Sequence, residues 1–378
     1  MGGMQTDELT LSGIIVYGDD FEEKEGYVVI EQGKIKEIGD EKIETALKGI
    51  IIPSFVNVHT HIGDSVAKEP DFMPVEKLVG PGGFKHKILA ETPYEALVSS
   101  MKDTIEDVFA TGTQMFADFR EGGVLGVRAL REAFSLANAN GREKLSIKIF
   151  GRPAVGTGTG TGTETEDISG LFDLVDGIGM SSVADHPRED LKFLADEAKR
   201  KGKMFALHAG ERNAEDIKGA IELEPDFIVH LTKASRQDFE KMQDKSIAAV
   251  VCIRSNLVTE LGLPPLPQML ESGLTVGVGT DNVMLNSPDI FSEAEFISKI
   301  FHLEAREVLR MCTLNSAKIL KEERFVGSIE EGKKANLVVI RNDTPNMRNV
   351  RNPIKGAVRR ATRNDIAAVI FEGKVVNI

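Results

Sequence analysis

The chain has 378 residues, 46 basic and 59 acidic side chains, a net charge of −13 and 41 % apolar residues. This is the balance of a globular protein with room for one large core and a smaller one, and its negative charge disfavours non-specific nucleic-acid binding. Two cysteines, Cys252 and Cys312, exclude a disulfide framework and a Cys-x-x-Cys metal site and suit a reducing, cytoplasmic compartment. No apolar stretch approaches a membrane span, and no secretory signal is expected. Met1-Gly2-Gly3-Met4-Gln5-Thr6 formally fits a myristoylation pattern. An alternative start at Met4 or an expression remnant accounts for it more simply.

In chain order, residues 8–50 read as short strands with turns, at 26–31 and 33–38. From 51 to about 281, short apolar runs alternate with amphipathic stretches. Strand cores are predicted at 51–58, 114–117, 146–150, 177–179, 204–207, 227–229, 248–253 and 274–279. They end at His59 and His61, Asp118, Arg152, Met180, His208, His230, Ser255 and Asp281. The segments between, such as 93–110 and 188–201, have helical spacing. Eight strands alternating with helices predict an α/β fold, a (β/α)8 TIM-like barrel. Closing helices are predicted at 289–300 and 304–320. The last segment returns to short strands, at 335–340, 367–370 and 373–376. The two chain ends, 1–50 and 326–378, are therefore predicted to build one small β-sandwich domain beside a barrel at 51–325.

Two segments stand outside this pattern. Residues 156–163 alternate Gly and Thr after the third strand. No Gly-Lys-Ser/Thr follows, so this is no phosphate-binding loop; it reads as a surface loop whose position also suits a lid. Arg359, Arg360 and Arg363 form the densest basic cluster and read as a solvated face rather than an anion site.

His59-Thr60-His61 carries the chemistry. Residues i and i+2 of a strand share a face, so both imidazoles can grip one ion. His208, Glu211, His230 and Asp281 lie at or just past other predicted strand ends, which converge on one rim in a barrel. Each alone has a plain explanation: a satisfied core histidine, a helix cap for Asp281, a solvated loop charge for Glu211. Together they include four of the seven histidines. Three imidazoles and a carboxylate suit one divalent ion, Zn2+ by default, with Fe2+ or Mn2+ compatible. Such an ion lowers the pKa of bound water from about 15.7 toward roughly 7.

These motifs resemble the amidohydrolase superfamily, in the branch of cytosine deaminase, S-adenosylhomocysteine deaminase, guanine deaminase and the triazine chlorohydrolases. The resemblance spans residues 49–61, His208-Ala209-Gly210-Glu211, 251–256 with Gly262-Leu263-Pro264-Pro265, Gly279-Thr280-Asp281-Asn282, 309–320 and 327–340. Ile253 stands where relatives often have Pro, and Asn336 where they have Asp. The resemblance implies that His59, His61, His208 and Asp281 bind one metal. It implies that Glu211 moves protons to a heterocycle, that His230 holds or polarises water or the reacting group, and that Asp281 also takes the water's proton. The predicted fourth strand has no lysine, which favours one metal over two.

For the substrate, Arg120, Arg152 and Arg254 near strand ends, with Ser255 and Asn256, suggest a pocket that reads an anionic group. The alternative is that each arginine pairs with a local acid, Glu121 for Arg120. Residues 64–92, with Lys68, Lys85, His86 and Lys87, are expected to shape the pocket, His86 as a loop residue. Without Trp, ring stacking would fall to Phe72 or Phe84. The implied activity is hydrolytic deamination of an amino-substituted N-heterocycle such as a purine, pterin or nucleoside-like compound. Removal of another leaving group or opening of a cyclic amide is the alternative. A non-catalytic binding protein on this scaffold would lack metal ligands, and none is missing here. The partner is a small heterocyclic substrate, not nucleic acid or membrane; a homo-oligomer is compatible.

Overall fold

The computed structural model describes residues 8–139, 145–153 and 168–376. Met1–Thr6 and the Gly/Thr run at 156–163 lie outside the described residues.

One apolar run decides where two sheets meet. The predicted strand at 51–58 is two strands, β4 (Leu47–Pro53) and β5 (Phe55–His61), in different sheets. Proline has no N–H to give to a ladder, and the chain changes partners just past it. Ser54 N donates to Asn336 O of the C-terminal segment, while Phe55 N donates to Gly112 O of the barrel. The hand-over thus falls at Ser54, a few residues beyond the expected boundary at 50.

The first sheet joins both chain ends. Strands β1 (Glu8–Tyr17), β2 (Glu22–Glu31) and β3 (Lys34–Gly39) precede β4. The C-terminal strands are β14 (Leu337–Ile340), β15 (Ile366–Phe371) and β16 (Lys374–Val376). The order is β16-β15-β14-β4-β1-β2-β3. The sheet curls back on itself, with Lys34 of β3 bridged to Lys334 and Ile35 N bonded to Lys333 O, in the segment that leads into β14. The two layers of the sandwich are therefore one continuous sheet. Its central strands are apolar on both faces because both are covered. Ile51, Leu337, Val339 and Ile370 face the small domain's own core, while Ile50, Ile52, Val338 and Ile340 join the core shared with the barrel helices.

The second sheet is the barrel. All eight predicted strands are present: β5, β6 (Thr113–Arg120), β7 (Ser146–Gly151), β8 (Gly177–Met180), β9 (Met204–Ala209), β10 (Phe227–His230), β11 (Ala248–Val251) and β12 (Val276–Val278). They pair in parallel in chain order. A two-residue strand, β13 (Asp281–Asn282), follows β12 and pairs with β5, which closes the ring. The interior is filled by Val58, Phe119, Phe150, Phe227 and Val250 among others. Ile253 does not extend β11 but opens the helix Ile253–Val258. Cys252 and Cys312 are free and buried, as small apolar groups. Among the described residues, no helix is long and apolar enough to cross a membrane.

Close approach at the seam requires glycine. A Cβ on Gly49 would lie 2.2 Å from Ile340 O across β4 and β14. Gly49→Ala is therefore expected to destabilise the chain by about 1–3 kcal/mol through overpacking. This would lower the melting temperature by several degrees (roughly 2–4 °C per kcal/mol); an unchanged melting curve would contradict this account of the seam.

Candidate active site

Strand β5 alternates Asn57, His59 and His61 onto the barrel interior. Asn57 secures the last strand. Its Nδ2 donates to Thr280 Oγ1 at 2.8 Å, and its Oδ1 accepts from Thr280 N at 3.2 Å. Asp118 of β6 secures the end of β5, accepting from Ile62 N at 2.6 Å and from Thr60 Oγ1 at 3.0 Å. Gly279 allows the approach, since a Cβ there would sit 2.6 Å from His59 Cβ.

Four ligand-type atoms converge as a result. His59 Nε2 lies 3.2 Å from Asp281 Oδ1 and 3.1 Å from His208 Nε2, and His61 Nε2 lies 3.5 Å from Asp281 Oδ1. One atom from each of His59, His61, His208 and Asp281 falls within a 4.8 Å cluster, and all four residues are buried. His208 Nδ1 faces Met180 O at 2.7 Å, and His61 Nδ1 faces Phe119 O at 3.0 Å and Glu121 Oε1 at 2.9 Å. These contacts use the Nδ1 protons and leave Nε2 lone pairs aimed at a carboxylate. Buried acceptors without a donor between them are costly, and a divalent cation resolves that cost. The donor set fits a metal site, and it is a mononuclear set of borderline character.

The electrostatics agree. Burial pushes His59 down to about 3, aided by the neighbouring His61 and His230, and Asp281 opposes this only in part. Burial also holds His208 well below its ordinary value. Burial pushes the Asp281 carboxyl up, but the His59 hydrogen bond and the surrounding imidazoles of His230, His59 and His61 outweigh it and keep Asp281 well below the carboxylate range. Neutral imidazoles and an ionised carboxylate are the states that bind metal. His230 (φ 75°) and Asp281 (φ 60°) both sit in the left-handed region, a strain that persists only where surroundings enforce it.

Beside the cluster lies a second set of polar side chains. His230 Nδ1 bonds Asn256 Oδ1 at 2.8 Å, and His230 Nε2 lies 3.4 Å from Glu211 Oε1 and 4.0 Å from Asp281 Oδ2. Ser255 Oγ donates to Asp281 Oδ2 at 2.5 Å. Ser255 and Asn256, expected in the substrate pocket, instead orient Asp281 and His230. Burial raises the Glu211 carboxyl above its usual range, Asp281 adds to this, and His230 opposes it.

The cleft above these atoms includes Lys85, Arg152, Ser181, Asp185, Glu211 and Arg212 in its walls. Its free volume is about 50 Å3. Of the three arginines expected there, only Arg152 lines it. Arg120 is buried, with Nη2 on Glu121 Oε2 at 2.9 Å and Nε on Glu121 O at 3.1 Å. Arg254 Nε donates to the buried Glu293 at 2.7 Å, and Glu293 also accepts from Ile253 N at 3.1 Å. Arg120 braces the end of β6 and Arg254 ties the helix Ile253–Val258 to the helix Ile290–Ile300; neither lines the cleft. Phe72 is 94 % exposed, and Phe84 packs beside Leu78, Met284 and Leu285; neither lines the cleft. His86 lies on the helix Phe84–Glu91 outside the cluster. Its neighbour Lys85 is the residue that enters: it is buried, 2.6 Å from Glu121 Oε1, and lines the cleft. The signal was the basic content of 64–92, but nothing in the sequence distinguishes Lys85 from Lys68 or Lys87.

Comparisons with known proteins agree with this geometry. The Amidohydrolase family model matches residues 50–376. An uncharacterised protein of Methanocaldococcus jannaschii is 35 % identical, over 95 % of this chain and 96 % of its own. A 5-methylthioadenosine/S-adenosylhomocysteine deaminase of Thermoanaerobacter pseudethanolicus is 27 % identical, over 93 % of this chain and 87 % of its own. Among solved structures, an adenosine deaminase from Xanthomonas campestris with bound zinc superposes with a TM-score of 0.80 at 17 % identity, covering 97 % of this chain and 92 % of that one.

Metal analysis tests the cluster. Zinc-reconstituted protein is expected to retain about one ion per chain after dialysis, and His208→Ala to retain far less. Equal retention by His208→Ala would refute the four-ligand site.

Proposed function

We propose, from the premise that this chain belongs to the amidohydrolase family, that it deaminates an amino-substituted N-heterocycle by metal-assisted hydrolysis. The chain is a hydrolase acting on carbon–nitrogen bonds other than peptide bonds. The observation that carries the finer reading is the contact chain Glu211–His230–Asp281, which flanks the four-residue cluster on one wall of the cleft. The deaminase relative, named for 5-methylthioadenosine and S-adenosylhomocysteine, supports an aminated ring as substrate.

In this reading His59, His61, His208 and Asp281 hold one divalent ion, which supplies Lewis acidity and makes a nearby water nucleophilic at neutral pH. The chain's own groups do the rest. Asp281 accepts a proton from the attacking water, with Ser255 fixing its second oxygen. Glu211, its pKa raised by burial, hands a proton to the ring nitrogen next to the reacting carbon. His230, held by Asn256, is within reach of both carboxylates and steadies the incoming oxygen. The carbon–oxygen bond forms, the carbon–nitrogen bond breaks, the second water proton leaves with the amine as ammonia, and the proton taken by Asp281 returns to Glu211, so that both carboxyls regain their starting states. Lys85 and Arg152 on the cleft wall favour a ring that carries an oxo or carboxylate group, because each offers N–H donors in a partly dry site.

The test is ammonia release from a panel of aminated purines, pterins and nucleoside-like compounds with metal-loaded enzyme. Glu211→Gln is expected to keep its zinc and lose about 10²–10⁴-fold in turnover. Release of a product without ammonia would instead indicate another leaving group or ring opening. Arg152→Ala is expected to raise KM for a carboxylate-bearing substrate by about tenfold or more while sparing its uncharged analogue. Equal losses on both would remove the anion-reading role.

A further inference from the structure

We infer that a second, non-catalytic site binds a small polyphosphate-bearing ligand in the cationic cavity around the helix Pro353–Arg359. The run 344–364 holds six basic residues and no acid, in a chain with 59 acidic and 46 basic side chains. Arg348, Arg351, Lys355, Arg359 and Arg360, with Lys299 from the helix Ile290–Ile300, line one open cavity of about 540 Å3. It shares no lining residue with the reactive cleft. Among the described residues, no Asp or Glu lines it.

The positive charge there is held in place without being neutralised. Arg359 Nε donates to Ser298 Oγ at 2.8 Å and its Nη2 to Leu303 O at 2.9 Å. Arg360 Nε donates to Asn346 O at 3.1 Å and its Nη2 to Asn346 Oδ1 at 3.2 Å. Asn346 is itself anchored, its Nδ2 donating to Asp365 Oδ2 at 2.7 Å. Arg348 Nη2 donates to Asp343 O at 3.2 Å. Among the described residues, Arg348, Arg351, Arg359 and Arg360 have no carboxylate within 4.0 Å. Lys299 pairs with Glu295, and Lys355 reaches Glu304 only at 3.8 Å.

Neutral acceptors orient a guanidinium but leave its charge and several of its five N–H donors free. Like charges gathered this way repel, and a chain rich in acids had the means to pair them. Guanidinium forks match phosphate oxygens in pairs. The cavity has the volume of a small-molecule site and is confined to one patch of a strongly acidic protein. That favours a compact polyanion over a nucleic-acid strand, which needs an extended basic track. Asn346, Asn349 and Asn352 on the same walls offer amides for the rest of the ligand.

Titration calorimetry of the zinc-loaded full chain with inorganic tripolyphosphate, and separately with adenosine triphosphate, tests this. Binding in the range of about 1–100 μM is expected, weakening as sodium chloride rises. Arg351→Glu together with Arg360→Glu should weaken both probes by at least about tenfold, with melting temperature and zinc content unchanged. Arg351→Glu alone, at a side chain with no ion pair to lose, should give an intermediate loss. Tighter binding of adenosine triphosphate than of tripolyphosphate would identify a nucleotide, and equal binding a bare polyphosphate. The site would be overturned by no binding, by binding that survives the double variant, by loss in Arg152→Ala instead, or by tighter binding of a single-stranded oligonucleotide to the same patch. A double variant that changes sedimentation and not tripolyphosphate affinity would overturn it in favour of a self-association surface.

Discussion

The closure of the barrel between its first and last strands is the constraint on which the site depends. His59 and Asp281 are 222 positions apart, yet Nε2 and Oδ1 meet at 3.2 Å. What brings them together is a set of neutral hydrogen bonds below the chemistry, Asn57 to Thr280 and Thr280 N to His59 O. Asn57 precedes His59 by two residues and so shares its face. The strand that carries two of the four ligands therefore also carries the residue that delivers the fourth. Gly279 permits this by offering no side chain where His59 must pass.

The same closure creates an electrostatic problem. The cluster sits on Phe119, whose ring lies 4.4 Å from that of His59 and 5.3 Å from that of His208. Phe119 in turn stacks on Phe150. This aromatic floor excludes water, which drives His59 and His208 to their neutral forms. Among the described residues, Ser255 is the one hydroxyl that donates to the Asp281 carboxylate. His230 and Asp281 add backbone strain. Strain and desolvation concentrated at one place suit a site whose stability is completed by a bound cation, since binding energy then offsets both.

Much of this was legible in the sequence, for a definite reason. Buried parallel strands are near-continuous apolar runs, so a polar residue that ends such a run stands out, and in a barrel those endings share a rim. His59, His61, His208, His230 and Asp281 were all visible on that logic. The arginines were not, because a strand end fixes a Cα and not the direction of a long side chain. Arg254 turns to Glu293, 39 residues away, and Arg120 folds over Gly63 toward Glu121, where a Cβ on Gly63 would collide with its guanidinium. Ser54 was hidden for a related reason: the run 50–58 is mostly apolar on both sides of Pro53-Ser54, and only partner exchange on either side of it reveals two sheets. Glu211 was found through its spacing from His208, whereas Lys85 lies in a loop-rich segment with no periodicity to mark its direction.

Those failures follow a division built into the fold. The groups proposed to bond a metal and move protons are borne at or just past strand ends, held by hydrogen bonds within the barrel. Apart from Arg152 and Ser181, which follow strands β7 and β8 directly, the remaining groups that would meet a substrate lie farther out: Lys85 and Val79 in the 62–92 segment, Asp185 and Arg212 in loops beyond β8 and β9. Changes in the outer set leave the inner one intact. The likeness to a zinc-bound adenosine deaminase at 17 % identity is accordingly one of fold and not of the outer set. The Lys85–Glu121–His61 contacts are the point where the two sets touch, since Glu121 bonds both a cleft-lining ammonium and a ligand imidazole. A substrate group that engages Lys85 would compete with Glu121 for the same ammonium and so alter the hold on His61. Recognition and metal orientation are thereby linked through one carboxylate.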